Sequence, residues 1–273
     1  MASLHSLIKE GNATGIRIND WTILSNKTSI LSSHEIDKAS ADIGIPIPEM
    51  IFGNNHLTIE HSSGWKLEFK ALPALAMVDQ SSTSSDAIKV SYAREWFEKR
   101  SMANQEHITD VVKPYDWTYS TKYCGSLASC ADHQRFEPST TDTIDIEQLK
   151  KPEPILFYNE NILFEDELAD NGTAVLATKI RVMPSCFFIL LRFFLRVDDV
   201  LFRIYDTRIY HRFGTNHVLR ECSVKEDSYH ATRAKIPRSR GDDLSLLLDS
   251  NWIASVLPDR EVHMQRADLT KSE

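Results

Sequence analysis

Glycine is scarce in this chain: nine residues scattered over 273 positions leave no Gly-rich loop able to cradle a phosphate. The four cysteines, Cys124, Cys130, Cys186 and Cys222, show no CxxC spacing, and no charged segment followed by an apolar one opens the sequence. The reading therefore expects a reducing, intracellular setting, the cytoplasm with the nucleus as an additional location. The longest uninterrupted apolar run, Cys186 to Leu191, is far below the roughly 20 residues a membrane helix needs, so no membrane partner is expected. Metal-binding patterns such as HExxH, HxxxH and DxDxDG are missing, as are a Gly-x-Ser-x-Gly elbow and any internal repeat.

Two local clusters could still do chemistry. Glu165-Asp166-Glu167 with Asp170 gathers oxygens, but alternate strand residues face opposite ways, so a solvated turn is the better reading. Tyr210-His211-Arg212 near Cys222 or Asp206 imitates a base and a nucleophile without an elbow to position them. The expectation is no enzyme, no metal and no cofactor, with a metal-dependent enzyme as the weakest alternative.

What the chain does have is a core. An apolar content of 42% can fill one large domain, while a 26% charged fraction and a net charge of -8 disfavour non-specific nucleic-acid binding. The stretch from Lys179 to Tyr210 is the most apolar and reads as a central β-hairpin turning at Asp198-Asp199. With a two-residue loop, Val197 faces Val200, Leu195 faces Phe202 and Phe193 faces Ile204 on an apolar side. The other side pairs Arg196 with Leu201, Phe194 with Arg203 and Arg192 with Tyr205, an arginine face that can bind a partner or simply reach solvent.

Around this hairpin, residues 1–15 read as a loose arm and 16–257 as one domain, an α+β fold with an antiparallel β-sheet core flanked by short helices. Residues 258–273 read as a C-terminal helix or tail. Ser32 and Glu35 form a capping-box pattern before a helix that Gly44 stops, and Ser62-Ser63-Gly64 turns a hairpin. Ile88 to Lys99 has a helical core stripe, and Tyr115, Trp117 and Tyr119 alternate as in a strand. Asp142 or Asp145 is available to cap a brief helix that leaves Ile144 exposed. Ile155–Tyr158 and Ile162–Leu168 read as two strands, with Asp170-Asn171-Gly172 turning into Val175–Val182.

Several blocks carry a resemblance. IPEMIFGNNHL (47–57), KPYDWTYSTKYCGSL (113–127), STTDTID (139–145), ILFEDELADNG (162–172), the stretch 179–211 and VLRE (218–221), in that order, resemble the TIPRL family of TOR-signalling regulators. The resemblance runs from about residue 16 to Glu221. It implies a non-catalytic regulator that binds catalytic subunits of type 2A-like serine/threonine phosphatases, types 2A, 4 and 6, grips their C-terminal tail in a groove and restrains activity or holds a latent, metal-poor enzyme. The alpha-4 (Tap-type) regulator is implied as a second partner, which the arginine face with Arg192 and Arg203 would contact. Carried over by position, the phosphatase contacts fall on Ile144, Ile204 and Asp206, with Asp206 as the acid at the rim of an apolar trough. Two positions depart from the family pattern: Pro73 in FKALPAL, where an acid is frequent, and Cys222, where an aromatic is common.

Overall fold

The computed structural model describes residues 5–80, 115–128, 131–237 and 244–270. Two antiparallel sheets stack face to face. The smaller runs in the order β1 (His5–Glu10), β2 (Ala13–Ile18), β3 (Trp21–Asn26), β5 (His56–His61), β6 (Lys66–Lys70), β7 (Ser126–Leu127). The larger runs in the order β4 (Met50–Ile51), β9 (Phe157–Asp166), β10 (Gly172–Val182), β11 (Cys186–Val197), β12 (Leu201–Arg212), β13 (His217–Ser228), β14 (Asp259–Asp268), β8 (Glu137–Pro138). Short helices decorate the pair: α1 (Ser33–Ile43), α2 (Ala71–Leu75), α3 (Ile146–Lys150), α4 (Tyr229–Arg233) and α5 (Ser250–Val256), with 3-10 turns at Asp132–Gln134 and Leu244–Leu248. The fold is α+β, with two sheets where the sequence suggested one core sheet.

The core lies between the sheets. Ile16, Trp21, Ile23, Leu57, Ile59, Trp65 and Phe69 of the smaller sheet meet Leu163, Leu176, Phe187, Ile189, Leu191, Phe193 and Leu195 of the larger. Alternation does this work, since each strand sends every second side chain inward. The polar seam is stitched by amides: Asn161 Nδ2 donates to Asn26 O at 2.8 Å, and Asn55 Nδ2 donates to Ile162 O at 2.8 Å. At the other end Gln134 Nε2 donates to Leu269 O at 3.0 Å, while the Gln134 main-chain carbonyl accepts from Trp65 Nε1.

The local signals hold at α1, where Ser32 N donates to Glu35 Oε2 at 2.9 Å and Gly44 ends the helix at φ 85°. They hold also at the β5–β6 hairpin and, of the two candidate caps, at Asp145, which accepts from Gln148 N at 2.8 Å.

Elsewhere the structure corrects the sequence. The expected arm at residues 1–15 contains β1 and the start of β2; β1 is an exposed edge strand held by backbone pairing, so it leaves no apolar signal. Asp259–Asp268 is strand β14, not a helix or tail, because pairing with β13 from His217 to Lys225 overrides local preference. Tyr115, Trp117 and Tyr119 lie in an irregular segment with Tyr119 at φ 55°, and Trp117 and Tyr119 are buried in the core. Phe157–Asp166 is one strand where two were expected, and Ile144 is buried where exposure was expected. The helix expected at 88–99 lies outside the described residues. Among the described residues, no helix is long and apolar enough to cross a membrane.

Candidate functional site

The β11–β12 turn is one residue longer than expected. Val197 pairs with Leu201, leaving Asp198-Asp199-Val200 as a three-residue loop with Asp199 at φ 59°. A two-residue type I′ turn requires two left-handed residues; this loop requires one, which Asp tolerates. The extra residue shifts every cross-strand pair: Phe194 now faces Ile204, Arg192 faces Asp206 and Leu195 faces Arg203. Ile204 and Asp206 therefore share the outer face with Arg192, while Arg203 turns to the inner face. The single arginine face does not form, and the inner side is not wholly apolar, since Arg203, Thr207 and His211 lie on it.

Each sequence-predicted residue is buried. Ile204 is wholly covered, packed with Phe194 and Phe202 beneath Leu247, Ile253 and Leu257 of the C-terminal helical segment. Ile144 joins a separate cluster with Met183, Cys186, Tyr210 and Leu219. Asp206 is no rim acid. It accepts from Arg192 Nε at 2.7 Å and Nη2 at 2.8 Å, and from Arg208 Nη2 at 3.1 Å. Arg192 Nη1 also donates to Ser250 O at 2.8 Å, so the ion pair fastens the start of α5 over Ile204. Arg208 continues the charged row to Glu221. Arg203 donates from Nε to Glu226 Oε2 at 2.5 Å and from Nη1 to Ser120 Oγ at 3.0 Å.

The carboxylate cluster after β9 is a turn device. Asp166 accepts from Glu49 N at 2.9 Å and Leu168 N at 2.7 Å. His211, considered as a base, is 2% exposed among the rings of Trp21, Phe187 and Phe213, with its Nδ1 2.9 Å from His217 O. Burial pushes its pKa down to about 4. It is a neutral packing ring rather than a base aimed at solvent.

An open site lies elsewhere, over the inner face of β12, β13 and β14. A cavity of ≈ 330 Å³ is lined by Lys122, Cys124, Thr207, Arg220, Cys222 and His263, among others. Asp206 borders it as well, although its carboxylate lies on the opposite face, engaged by Arg192. Arg220 donates from Nε to Gln265 Oε1 at 2.7 Å and lies 3.9 Å over the Phe136 ring. Beside the cavity β8 pairs only with Gln265 and Arg266, and Asp259–His263 of β14 are exposed along the sheet edge. Among the described residues no strand pairs with the outer edge of Asp259–His263, so a strand edge lies beside a side-chain pocket, the geometry an extended peptide uses. Sequence reasoning missed it because its walls come from three remote segments. The blocks KPYDWTYSTKYCGSL and VLRE contained the signal, but only the sheet order joins them.

Comparison with known proteins fits this architecture to a family. A model of the TIP41-like family matches residues 50–233. The TIP41-like protein of Homo sapiens is 43% identical over 242 residues, covering 88% of this chain and 84% of that protein. The one from Dictyostelium discoideum is 38% identical over 278 residues, 98% of this chain and 96% of that protein. Type 2A phosphatase activator TIP41 of Saccharomyces cerevisiae is 42% identical over 259 residues, 89% of this chain and 71% of that protein. The matched span takes in β4 to β13 and both faces of the hairpin sheet, and so the chain belongs to the TIP41-like family.

Proposed function

We propose that this protein is a non-catalytic regulator that binds the catalytic subunit of type 2A-like phosphatases and receives its C-terminal tail at the β13–β14 cavity. The observation that carries the reading is the cavity beside the exposed Asp259–His263 edge. A tail in extended form adds main-chain hydrogen bonds to that edge and sends alternate side chains toward the cavity. Lys122, Arg220 and His263 around it favour an acidic or carboxylate-terminated segment. The names of two fungal relatives, type 2A phosphatase activator in Saccharomyces cerevisiae and in Schizosaccharomyces pombe, support the choice of partner. Those names run opposite to the restraint implied by the sequence resemblance, so the proposal is binding, with the sign of regulation read from activity.

The test is calorimetric titration of the full chain with a type 2A catalytic subunit, intact and lacking its tail, with phosphatase activity measured on the same mixtures. Binding that is lost on tail removal, and weakened by Val224→Trp without a change in thermal midpoint, is the expected result. Equal affinity for the tail-less enzyme would overturn the cavity as the tail site; no binding to either form would overturn the regulator reading. A direct contact with the alpha-4-type regulator through Arg192 and Arg203 has less support, because the two side chains are buried on opposite faces and engaged by Asp206 and Glu226.

A further inference from the structure

Two of the three described cysteines meet in the cavity wall. Cys222 projects from β13 and Cys124 from the segment leading into β7, 98 positions apart in the chain, and their sulfurs are 3.4 Å apart with Cys222 donating to Cys124. Both are half-buried and line the cavity, which gives a small reagent access. Cys186 is fully buried.

The two thiols are electrostatically unequal. The hydrogen bond from Cys222 is the chief influence lowering the Cys124 pKa; burial opposes it, and Thr207 and the Arg220 guanidinium assist it. The same hydrogen bond, with burial, pushes the Cys222 thiol up. When Cys124 is protonated, its thiol donates to Lys122 O at 3.1 Å. The remaining charged groups around the cavity are Lys122, Glu261, His263 and Asp206, whose carboxylate is engaged by Arg192 and Arg208. An attacking thiolate beside a protonated neighbour is the arrangement of a two-cysteine peroxide-reactive centre.

We propose that Cys124 and Cys222 form an oxidisable dithiol whose substrate class is a hydroperoxide, with Cys124 as the attacking sulfur and Cys222 as the resolving one. The Cys124 thiolate attacks one peroxide oxygen, the O–O bond breaks, and hydroxide leaves to become water with the proton that Cys124 gave up. Cys124 is then a sulfenic acid. The Cys222 sulfur displaces its hydroxyl group, which departs as a second water with the Cys222 proton. In sum two thiols and one hydrogen peroxide give one disulfide and two waters. The sulfurs close from 3.4 Å to about 2.0 Å. The bridge would tie the strand entering the smaller sheet to the middle of the larger, and an external dithiol reverses it. The proposal requires nothing of the phosphatase reading.

The experiment is made on the full reduced chain, treated with hydrogen peroxide and digested with trypsin and chymotrypsin, which cut after Lys225, Arg220, Tyr123 and Leu127. This separates Cys124 from Cys130. The expected product is Cys124–Leu127 joined to Glu221–Lys225, lighter than the two free peptides by two hydrogens and released by dithiothreitol. The oxidised chain should also melt several degrees higher. In Cys222→Ser, dimedone should trap a sulfenic acid at Cys124; in Cys124→Ser, labelling of Cys222 should be at least tenfold slower. A bridge mapping to Cys130, further oxidation of Cys124 without a bridge in the unmutated chain, or equal dimedone labelling of both positions would overturn the proposal.

Discussion

Asp206 is 1% exposed, and two guanidiniums converge on its carboxylate. A buried ion pair contributes little net stability over an apolar replacement, yet breaking it leaves an uncompensated charge in the interior. Asp206→Ala should therefore lower unfolding free energy by about 3–5 kcal/mol, measured by urea denaturation. Arg192→Met combined with Asp206→Leu should lose much less than the two single changes added together. Additive losses would mean that Arg208 and solvent, not Arg192, balance the carboxylate. The pairing was within reach of the sequence, since both residues were already singled out. It was hidden by one residue of loop length, because a slip of one moves a side chain to the opposite face.

At the scale of the element, that slip is set at Asp199. Its φ of 59° suits glycine and is tolerated by Asp, whereas a β-branched residue is strained there. Asp199→Gly should leave the register intact and raise stability by up to about 1 kcal/mol, while Asp199→Val should cost about 1 kcal/mol or more. Thermal midpoints decide this. An Asp199→Gly protein less stable than its parent would show that the Asp199 side chain holds the loop. Elements with local chemistry were readable: the capping box at Ser32 and Glu35, the turn before Gly172 and the Asp145 cap all act within a few residues. β1 and β14 were not. β1 is an exposed edge strand paired with β2, and β14 is exposed over its first half and held by the ladder to β13 with a short pairing to β8, and backbone bonds leave no pattern in side chains.

At the scale of the whole molecule, stability depends on the two sheets staying together, and His211 stands where they meet. Its ring centroid is 4.7 Å from that of Trp21 in the smaller sheet and 5.4 Å from that of Phe187 in the larger. Stacking of sheets could not be read from alternation alone, which says that each strand has an inner face but not what that face meets. The buried imidazole gives the interface a sign with pH. Its pKa in the fold is about 4 against an ordinary 6.5, so below 6.5 the unfolded chain takes up a proton that the folded chain refuses. Stability is thus full above 6.5 and falls as pH drops toward 4, with His61 and His217 shifted the same way by burial. Between about pH 7.5 and about pH 5, His211 should account for a loss of about 2 kcal/mol in unfolding free energy. His211→Leu should remove that part of the pH dependence, at a constant cost from the lost hydrogen bond to His217 O. Fluorescence and far-ultraviolet circular dichroism should fall together at both pH values, because one core serves both sheets. If His211→Leu keeps the full pH dependence, the acid-sensitive protons belong to His61, His217 and the carboxylates. If the two signals separate at low pH, the smaller sheet comes away first and the interface is weaker than its packing implies.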